Sequence, residues 1–463
     1  MEKQNAKIAG IDIGSSSIKW SVYDTGLSNI TDTGRIRYPK SVFYENHVDA
    51  NKIFSLFTTI TKKLKEQGIS SIGISAMAPI LIALDKDNNP LTSVPYNSLA
   101  GSEYLESFDN DYIRKKTLNP INIQMFLHKI RWLNENFHNI LKNTKYLLDL
   151  NGFIFNKITG FIDIPVQDIN TAFEWGLIDN ETGTWFSEMV EELGVSDKLP
   201  LLVKPEFNVE SDGVNYSIGT VDTITSALGS IGTDGSKMFS SNGSTLCAGF
   251  VSKSPISSNI LYNDIYFDNL FLVNGCNSQF STILDWSEGV FNTKINVNNI
   301  DLHQRQVLFL PYLQGERCPL FDVKIRGGFY GMDRGTTRED MIASVVHSLA
   351  YITVDMLESL SNLSGETKTS VVAGGGLSKE NLAKLISSLT GLEYIITSIE
   401  PATIGDILIS MHGQGILKKY PKDLTTFGLK IEKIILPDSS FKIHMSNFER
   451  FIKLRNAIRE AGI

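Results

Sequence analysis

Cysteine is scarce in this chain of 463 residues, which contains only Cys247, Cys276 and Cys318. The three lie far apart and none belongs to a Cys-x-x-Cys pair. The sequence therefore indicates neither a zinc site nor a disulfide framework. We expect three buried, reduced thiols.

A basic surplus and long hydrophobic runs are also lacking. The chain has 43 Lys and Arg against 51 Asp and Glu, a net charge of -8. Proteins that bind the nucleic-acid backbone concentrate Lys and Arg, so no nucleic-acid partner is expected, although single nucleotides need no such surplus. No run approaches membrane-spanning length, and the polar N-terminal segment lacks the apolar core of a signal peptide. We expect a cytoplasmic protein with no membrane partner.

The length of the chain exceeds what one hydrophobic core usually organises, which predicts two domains and a cleft between them. Short apolar strands alternate with amphipathic helices, for example the strand 69–75 after the helix 55–67. This alternation indicates an α/β fold whose loops gather at one sheet edge, where ligands normally bind. We place the boundary after residue 232, giving domains 1–232 and 233–463.

Residues 8–24 predict a β-hairpin with an unusual turn. The turn consists of four small residues: Gly14, Ser15, Ser16 and Ser17. Such a turn lets backbone N–H groups and hydroxyls approach an anion. Asp12 and Lys19 flank it, which suits a hydrated Mg²⁺ that accompanies phosphates. The pattern is neither a P-loop nor a dinucleotide-binding turn, and a plain hairpin would use the same residues.

A second hairpin of the same kind is predicted over 238–250. Asn242-Gly243 is a strong hairpin signal, and Gly243, Ser244 and Thr245 repeat the glycine-serine character of the first turn. Two such turns, one in each domain, would hold a polyphosphate from both sides.

Three consecutive glycines, Gly374, Gly375 and Gly376, end the predicted strand 370–376, and Ser378 opens the helix 379–389. Bare backbone before a helix leaves room for a flat ring or a phosphate. The alternative is a tight strand-to-helix turn, which would need fewer glycines. We favour ligand binding.

Asp222 stands at the start of a short helix of small residues. Its ordinary role there is to cap the helix, which would lower its pKa and keep it ionised. An ionised carboxylate also suits a base that accepts a hydroxyl proton, so the two roles are compatible. Asp168 is a second loop acid for which capping is the commoner use.

These segments, in this order, resemble the FGGY family of carbohydrate kinases. The resemblance rests on residues 11–19, 219–222, 243–245, 309–319, 326–331 and 373–376. It implies two actin-like, ribonuclease H-like domains that bind ATP and a sugar in the cleft between them. The N-terminal domain would bind the sugar and the C-terminal domain the nucleotide.

The resemblance also implies roles for single residues. Asp222 would be the catalytic base, and Asp12 would hold Mg²⁺ through water. Contacts to the ATP phosphates would come from Gly14, Ser15, Ser16, Ser17, Lys19, Gly243, Ser244 and Thr245. Adenosine would lie beside Gly374, Gly375, Gly376, Ser378 and Asn381.

Within the family, the chain looks closest to the xylulokinase-like branch. It departs from that branch at the predicted sugar loops, with Ala-Met-Ala-Pro at 76–79 in place of Gln-Met-His-Gly, and with 96–100 in place of Trp-x-Asp-x-Arg. The candidate substrate-binding residues are Met77, Ala78, Tyr96, Asn97 and Asp222. Polar partners that discriminate between sugars are missing from these loops.

The expected function is therefore ATP-dependent phosphorylation of a small-molecule sugar, a ketopentose or related polyol. The alternatives are a gluconate or glycerol kinase of the same family, and an inactive sugar- or nucleotide-binding regulator. A homodimer stays open as the assembly.

Overall fold

The structure is a computed structural model that describes residues 6–44, 47–161, 163–301, 307–376 and 379–462. The strands of these residues are β1 Lys7–Ile13, β2 Ser17–Asp24, β3 Asn29–Arg37, β4 Phe43–Tyr44, β5 His47–Val48, β6 Ser71–Ala76, β7 Leu81–Leu84, β8 Pro90–Val94, β9 Tyr146–Leu148, β10 Val166–Asp168, β11 Ile178–Asp179, β12 Thr184–Trp185, β13 Leu201–Val203, β14 Asn208–Ser211, β15 Val214–Val221, β16 Lys237–Asn242, β17 Leu246–Ser252, β18 Tyr262–Ile265, β19 Phe271–Cys276, β20 Leu308–Leu310, β21 Gly328–Tyr330, β22 Ser370–Gly374, β23 Glu393–Thr397 and β24 Ile431–Ile435.

The α-helices are α1 Ala50–Glu66, α2 Asn110–Thr117, α3 Phe126–Asn136, α4 His138–Asn143, α5 Leu150–Thr159, α6 Ile169–Phe173, α7 Ser187–Glu192, α8 Asp222–Ile231, α9 Ser281–Phe291, α10 Arg338–Ser364, α11 Glu380–Thr390, α12 Pro401–Gly413 and α13 Ile443–Ala461. Short 3₁₀ helices lie at Lys40–Val42, Ser102–Ser107, Ser196–Lys198, Phe267–Asn269, Val297–Asn299, Thr425–Phe427 and Ser439–Lys442.

The chain folds into two compact units. Unit 1 comprises Met1–Thr233, Ser257–Phe271 and Glu400–Gly428. Unit 2 comprises Asp234–Ile256, Leu272–Ile399 and Leu429–Ile463. The domains 1–232 and 233–463 stay a prediction, and unit 1 also includes two later segments that a single boundary does not anticipate.

Unit 1 is built on a six-stranded mixed sheet in the order β14-β15-β6-β1-β2-β3. Strand β1 is antiparallel to β2 and parallel to β6, and β6 is parallel to β15. Helix α12 lies directly on β1 and β6. A Cβ at Gly10 would come within 2.0 Å of the Thr403 carbonyl oxygen, and one at Gly73 within 2.0 Å of the Asp406 carbonyl oxygen. The helix therefore approaches the sheet at a distance that only glycine allows.

The predicted helix 55–67 is confirmed as α1, although it begins earlier than expected. Asp49 is its N-cap, and its Oδ1 accepts a hydrogen bond of 3.0 Å from the Lys52 backbone N–H. The side chains of Ile53, Phe57 and Leu64 are buried on one face, at the spacing of an amphipathic helix. The cap thus determines the start of the helix, and the apolar spacing determines its orientation.

The sheet of unit 2 contains the strand order β19-β17-β16-β22-β23-β24. Its long helix α10 begins with a capping box between Thr337 and Asp340. By length and composition α10 is able to cross a membrane, contrary to the expectation that no run reaches that length. However, 83% of its most apolar window is buried inside the fold, which is typical of a core helix.

The expectation of three reduced thiols is wrong for two of the cysteines. Cys247 and Cys276 form a disulfide, whereas Cys318 is a buried free thiol as expected. The bonded residues are 29 positions apart in sequence, but β17 and β19 are neighbouring strands and bring their Cα atoms to 4.2 Å. Sequence spacing could not reveal this pair because strand order is set by long-range contacts.

Candidate active site

The first predicted hairpin is confirmed, and its turn is closed by the chain itself. Strands β1 and β2 pair from Lys7 and Asp24 up to Ile13 and Ile18. The Gly14 backbone N–H donates to the Ser17 carbonyl oxygen at 3.1 Å. This N–H is therefore already used inside the turn, in contrast to the expectation that it is available to an anion.

Ser17 also differs from the predicted open turn. It is the first residue of β2 and is fully buried, and its Oγ accepts a hydrogen bond of 2.9 Å from Arg35 Nε. Strand pairing continues one residue further than the small side chains suggested. Ser15 and Ser16 occupy the exposed part of the turn.

No neighbouring atom in the described residues excludes a side chain at Gly14. A Cβ added to it would meet nothing closer than the Ser17 carbonyl oxygen at 3.6 Å, an ordinary contact. Glycine is therefore not needed for packing at this turn. Open space beside its Cα is what a closely bound phosphate would require.

Asp12, Lys19 and Glu400 form a charged group behind this turn. Asp12 and Lys19 are cross-strand partners, and Lys19 Nζ lies 3.3 Å from Asp12 Oδ2 and 2.9 Å from Glu400 Oε2. Burial alone would lower the pKa of Lys19, but the two carboxylates raise it above its usual value. Burial raises the pKa of Asp12, and the charge of Lys19 opposes that rise. Lys19 therefore remains a cation.

The donor set at Asp12 fits a hydrated Mg²⁺. Oδ1 of Asp12 is buried and has no hydrogen-bond partner among the residues that the structure describes. Such an oxygen is costly to bury unless a ligand satisfies it. No group of three or more His, Cys, Asp or Glu able to hold a metal occurs in the described part of the chain. Mg²⁺ is usually held through one or two carboxylates, water and substrate phosphates, so Asp12 is the residue that could hold it through water.

Asp222 is the first residue of α8 and not its cap, which is Val221. Its pKa is raised to about 7, first by burial and then by the charge of Asp12, while Lys19 opposes the rise. The expected lowering of this pKa by capping is therefore wrong, because the side chain is partly buried beside a second carboxylate. A carboxylate with a pKa near neutrality is well matched to accept a proton.

Asp406 on α12 is a further carboxylate that the sequence did not indicate as a site residue. It is fully buried, and its Oδ2 accepts a hydrogen bond of 3.0 Å from Ser75 Oγ. Burial raises its pKa well above the usual range, and the charge of Asp12 adds to the rise. Burial therefore favours the protonated form of Asp406. An acidic residue within the apolar run 404–409 was the signal that could have identified it.

Asp168 is confirmed as a helix cap. It precedes α6, and its Oδ1 accepts a hydrogen bond of 2.9 Å from the Thr171 backbone N–H. Thr171 Oγ1 lies 3.3 Å from Thr220 Oγ1, close to the end of β15. This contact fixes α6 beside the strand that leads to Asp222.

The predicted sugar loops lie in unit 1. The Met77 backbone N–H donates to the Ile13 carbonyl oxygen at 2.8 Å, so this loop is held against the end of β1. Met77 and Ala78 are buried, Tyr96 is half-buried, and Asn97 is exposed.

The second predicted hairpin, in unit 2, is confirmed between β16 and β17. Gly243 N–H donates to the Thr245 carbonyl oxygen at 3.1 Å, and a Cβ on Gly243 would meet nothing closer than that oxygen at 3.7 Å. The Ser244 carbonyl oxygen accepts from the Phe280 N–H at 2.7 Å, and Asn277 Oδ1 accepts from the Leu246 N–H at 2.8 Å. Residues 277–281 therefore support this turn through neutral groups.

The glycine run 374–376, also in unit 2, contains both a tight turn and open space beside the backbone. Gly374 ends β22, and Gly375 has φ +94°, where a Cβ would come within 2.8 Å of the Asn242 carbonyl oxygen. Gly375 therefore forms a tight turn that excludes other residues. A Cβ on Gly376 would meet nothing within 4 Å, which leaves space for a ligand. Ser378 lies outside the described residues.

Asn381 has a contact that the sequence did not predict. Its Nδ2 donates to the carbonyl oxygens of Asn298 at 2.9 Å and Ile300 at 3.2 Å. The side-chain nitrogen thus holds the segment 297–300 in place.

Comparison with known proteins defines the class of this chain. Residues 7–210 match the N-terminal domain of the FGGY family of carbohydrate kinases, and residues 238–413 match its C-terminal domain. The chain therefore belongs to the FGGY family. It is an ATP-dependent carbohydrate kinase with the two-domain, actin-like α/β fold.

Individual relatives have different substrates in their names. The xylulose kinase of Staphylococcus xylosus is 24% identical over 413 residues, covering 80% of this chain and 83% of the relative. The gluconokinase of Bacillus subtilis is 23% identical over 457 residues, covering 89% and 88%. A crystal structure of ligand-bound xylulose kinase from Lactobacillus acidophilus superposes with a TM-score of 0.87 at 19% identity, covering 98% of both chains. The xylulose kinases support the similarity to the xylulokinase-like branch.

Proposed function

We propose that this carbohydrate kinase transfers the γ-phosphoryl group of ATP to a hydroxyl of a neutral sugar, a ketopentose such as xylulose or ribulose, or a related polyol. The observation that carries the proposal is Asp222, whose pKa of about 7 makes it a base for a hydroxyl proton, with Asp12 and Lys19 acting on it electrostatically.

In the proposed reaction Asp222 accepts the proton of the sugar hydroxyl while that oxygen forms a bond to the γ-phosphorus. The bond between the γ-phosphorus and the bridging oxygen breaks, and ADP leaves with the electron pair. When bound, Mg²⁺ neutralises charge on the phosphate oxygens. Asp12 is the residue that would hold it through water, and Lys19 supplies a fixed positive charge.

The phosphate ligands in this proposal are the two turns, with Gly14, Ser15, Ser16 and Ser17 in unit 1 and Gly243, Ser244 and Thr245 in unit 2. Space beside Gly14 and Gly243 that the chain itself does not fill supports these assignments. For adenosine we propose the glycine run 374–376 with Ser378 and Asn381. Because Asn381 Nδ2 is already engaged, the open side of Gly376 has the stronger support.

A neutral substrate is favoured over an aldonate by the charges near Asp222. Burial raises the pKa of Glu174, and the charges of Asp264, Asp149 and Asp222 add to that rise. Lys19 is already engaged by two carboxylates. Lys19 is therefore not available to pair with a substrate carboxylate, which favours a neutral substrate.

The test is ADP release measured on a substrate panel of xylulose, ribulose, glycerol and gluconate, with ATP and Mg²⁺. We expect turnover on a ketopentose or neutral polyol, and turnover lowered about 10³-fold in a matched Asp222→Asn preparation. Turnover on gluconate alone would contradict the proposed substrate class. Sugar binding without turnover on every compound would contradict catalysis and favour a regulator. We expect the enzyme to act in the cytoplasm.

A further inference from the structure

Lys129 on α3 is a fully buried lysine whose three donors all point at backbone carbonyl groups. Its Nζ lies 3.0 Å from the Pro95 oxygen, 3.4 Å from the Tyr96 oxygen and 3.2 Å from the Gln124 oxygen. An ammonium group has three N–H donors, so this arrangement uses them all. One acceptor, the Tyr96 oxygen, belongs to the predicted sugar loop 96–100, and Pro95 directly precedes that loop.

Stability alone does not explain a lysine at this position. Burial lowers the pKa of Lys129 to about 7, although the charge of Asp149 opposes the fall. Removing an ammonium group from water is costly, and an apolar side chain of similar volume commonly serves a buried position as well or better. What an apolar residue cannot do is bind the carbonyl groups of a loop.

The loop that Lys129 holds is a tight turn. The Pro95 carbonyl oxygen accepts two hydrogen bonds, one from Lys129 Nζ and one of 3.1 Å from the Ser98 backbone N–H. Tyr96 and Asn97 are the two residues inside this turn. Further on, Gly101 has φ +78°, and a Cβ there would come within 2.6 Å of the His128 carbonyl oxygen. The segment 95–101 is therefore fixed to α3 at both ends.

The opposite charge, Asp149, acts on the other sugar loop. Its Oδ1 accepts from the Ile80 backbone N–H at 2.9 Å, directly after the segment that carries Met77 and Ala78. Its Oδ2 accepts from Trp175 Nε1 at 2.9 Å. The Asp149 carboxyl group, whose pKa burial raises to about 7, thus binds the backbone directly after one predicted sugar loop, and Lys129 binds the backbone at the start of the other.

We propose that Lys129 is a positioning residue for the sugar: its buried ammonium group sets the conformation of the turn that presents Tyr96 and Asn97 to the substrate. The inference rests on the proposed function, because it takes this turn to be part of the sugar site. Both sugar loops have few polar side chains, so the orientation of their backbone and of Asn97 determines which hydroxyls find partners. Lys129 acts through the loop and does not contact the sugar.

The experiment compares Lys129→Met with Lys368→Met. Lys368 is a matched control because it too is buried and donates to a backbone carbonyl oxygen, that of Gly235 at 2.9 Å, but it lies in unit 2. Both variants lose one buried charged group. For each, hydrogen exchange of the peptide 93–101 is followed by mass spectrometry. The kcat and KM values are measured for ATP and for whichever of xylulose, ribulose and glycerol the wild-type enzyme phosphorylates fastest.

We expect Lys129→Met to speed exchange of 93–101 at least fivefold and to raise the sugar KM at least tenfold, with the ATP KM within twofold of wild type. Lys368→Met should change neither quantity. Unchanged exchange in Lys129→Met would overturn the positioning role. Faster exchange with an unchanged sugar KM would also overturn the proposal, since the lysine would then be only structural.

If Lys129→Met does not fold, Lys129→Gln keeps an N–H donor without the charge and is measured in the same way. An intermediate increase in sugar KM supports the proposal, and a wild-type sugar KM overturns it. Failure of the wild-type enzyme to phosphorylate any sugar would contradict the proposed function instead. The exchange measurement needs no substrate, so the two failures are distinguishable.

Discussion

The two glycine-serine turns have the same local design but different surroundings. In unit 1 the turn at Gly14 is backed by Lys19, whose Nζ lies 3.3 Å from Asp12 Oδ2 and 2.9 Å from Glu400 Oε2. In unit 2 the turn at Gly243 is backed by neutral groups, chiefly the Asn277 side chain and backbone N–H groups. We infer that the first turn contributes charge to the reaction, whereas the second contributes only a shape that accepts phosphate.

The largest expected effect tests the charged side of this comparison. Asp222→Asn keeps the shape of the side chain but removes the base, so kcat should fall by about 10³-fold. The KM for ATP should change little, because Asp222 is assigned to the sugar hydroxyl. Steady-state kinetics measure both quantities, and normal turnover in this variant would remove the base assignment.

The variants Asp12→Asn and Asn277→Ala compare the charged group behind the first turn with the neutral group behind the second. Loss of the Asp12 charge should lower kcat/KM by about 10²-fold and raise the Mg²⁺ concentration needed for half-maximal activity, because the ion loses its carboxylate. Loss of the neutral amide of Asn277 should raise the ATP KM only a few-fold, without changing the Mg²⁺ requirement. A Mg²⁺ titration of both variants decides the point, and equal shifts would contradict the proposed division.

Alanine at Gly14 or Gly243 tests what the two turns share. Neither glycine is required by its neighbours, so each variant should keep its unfolding free energy within about 0.5 kcal/mol. The added methyl group would occupy space proposed for phosphate, so the ATP KM should rise about tenfold.

The control for these variants is Gly375→Ala, which forces a Cβ onto φ +94° and should cost about 1–3 kcal/mol. Denaturant unfolding and ATP kinetics separate the two outcomes. Unaltered ATP KM in both turn variants would argue against phosphate binding there.

The smallest expected effect is on stability. Asp222 has its pKa raised to about 7 in the folded chain, above the ordinary 3.8. The folded state therefore binds this proton more tightly than the unfolded state, so its contribution to stability is present at low pH and is lost as pH rises through 7. At pH 8, Asp222→Asn should be more stable than wild type, and the difference should shrink as pH falls below 7, measured by denaturant unfolding. Equal stabilities at pH 8 would contradict the raised pKa.

Activity should also depend on the protonation of Asp222, but it should rise with pH where the stability contribution falls. Because a protonated Asp222 cannot accept the hydroxyl proton, kcat/KM should fall as pH drops below about 7. A rate that stays flat from pH 8 to pH 5 would be incompatible with Asp222 as the base.

Local sequence signals were sufficient for both hairpins, because a turn and its two strands are neighbours in the chain. They also placed Asp222 at the start of a helix, where α8 begins. They failed for its pKa, since burial and the charge of Asp12 arise only when distant strands pair.

Residues that act through buried contacts were not accessible from the sequence pattern. Asp406 meets Ser75 across 331 positions, and Lys129 meets Pro95 across 34. A lysine within an amphipathic helix is normally read as part of its solvated face, and only the fold places this one in the interior. The disulfide between Cys247 and Cys276 was missed for the same reason.

The return of the chain to unit 1 has a consequence for biosynthesis. Helix α12 covers Gly10 and Gly73, yet it is translated about 330 residues after the second of them. The ribosome thus finishes the strands of the N-terminal sheet long before the segment that shields them is available. An expressed fragment ending at residue 233 would leave that bare glycine surface facing water, so a separately folded N-terminal half requires α12 to be grafted back or supplied as a peptide.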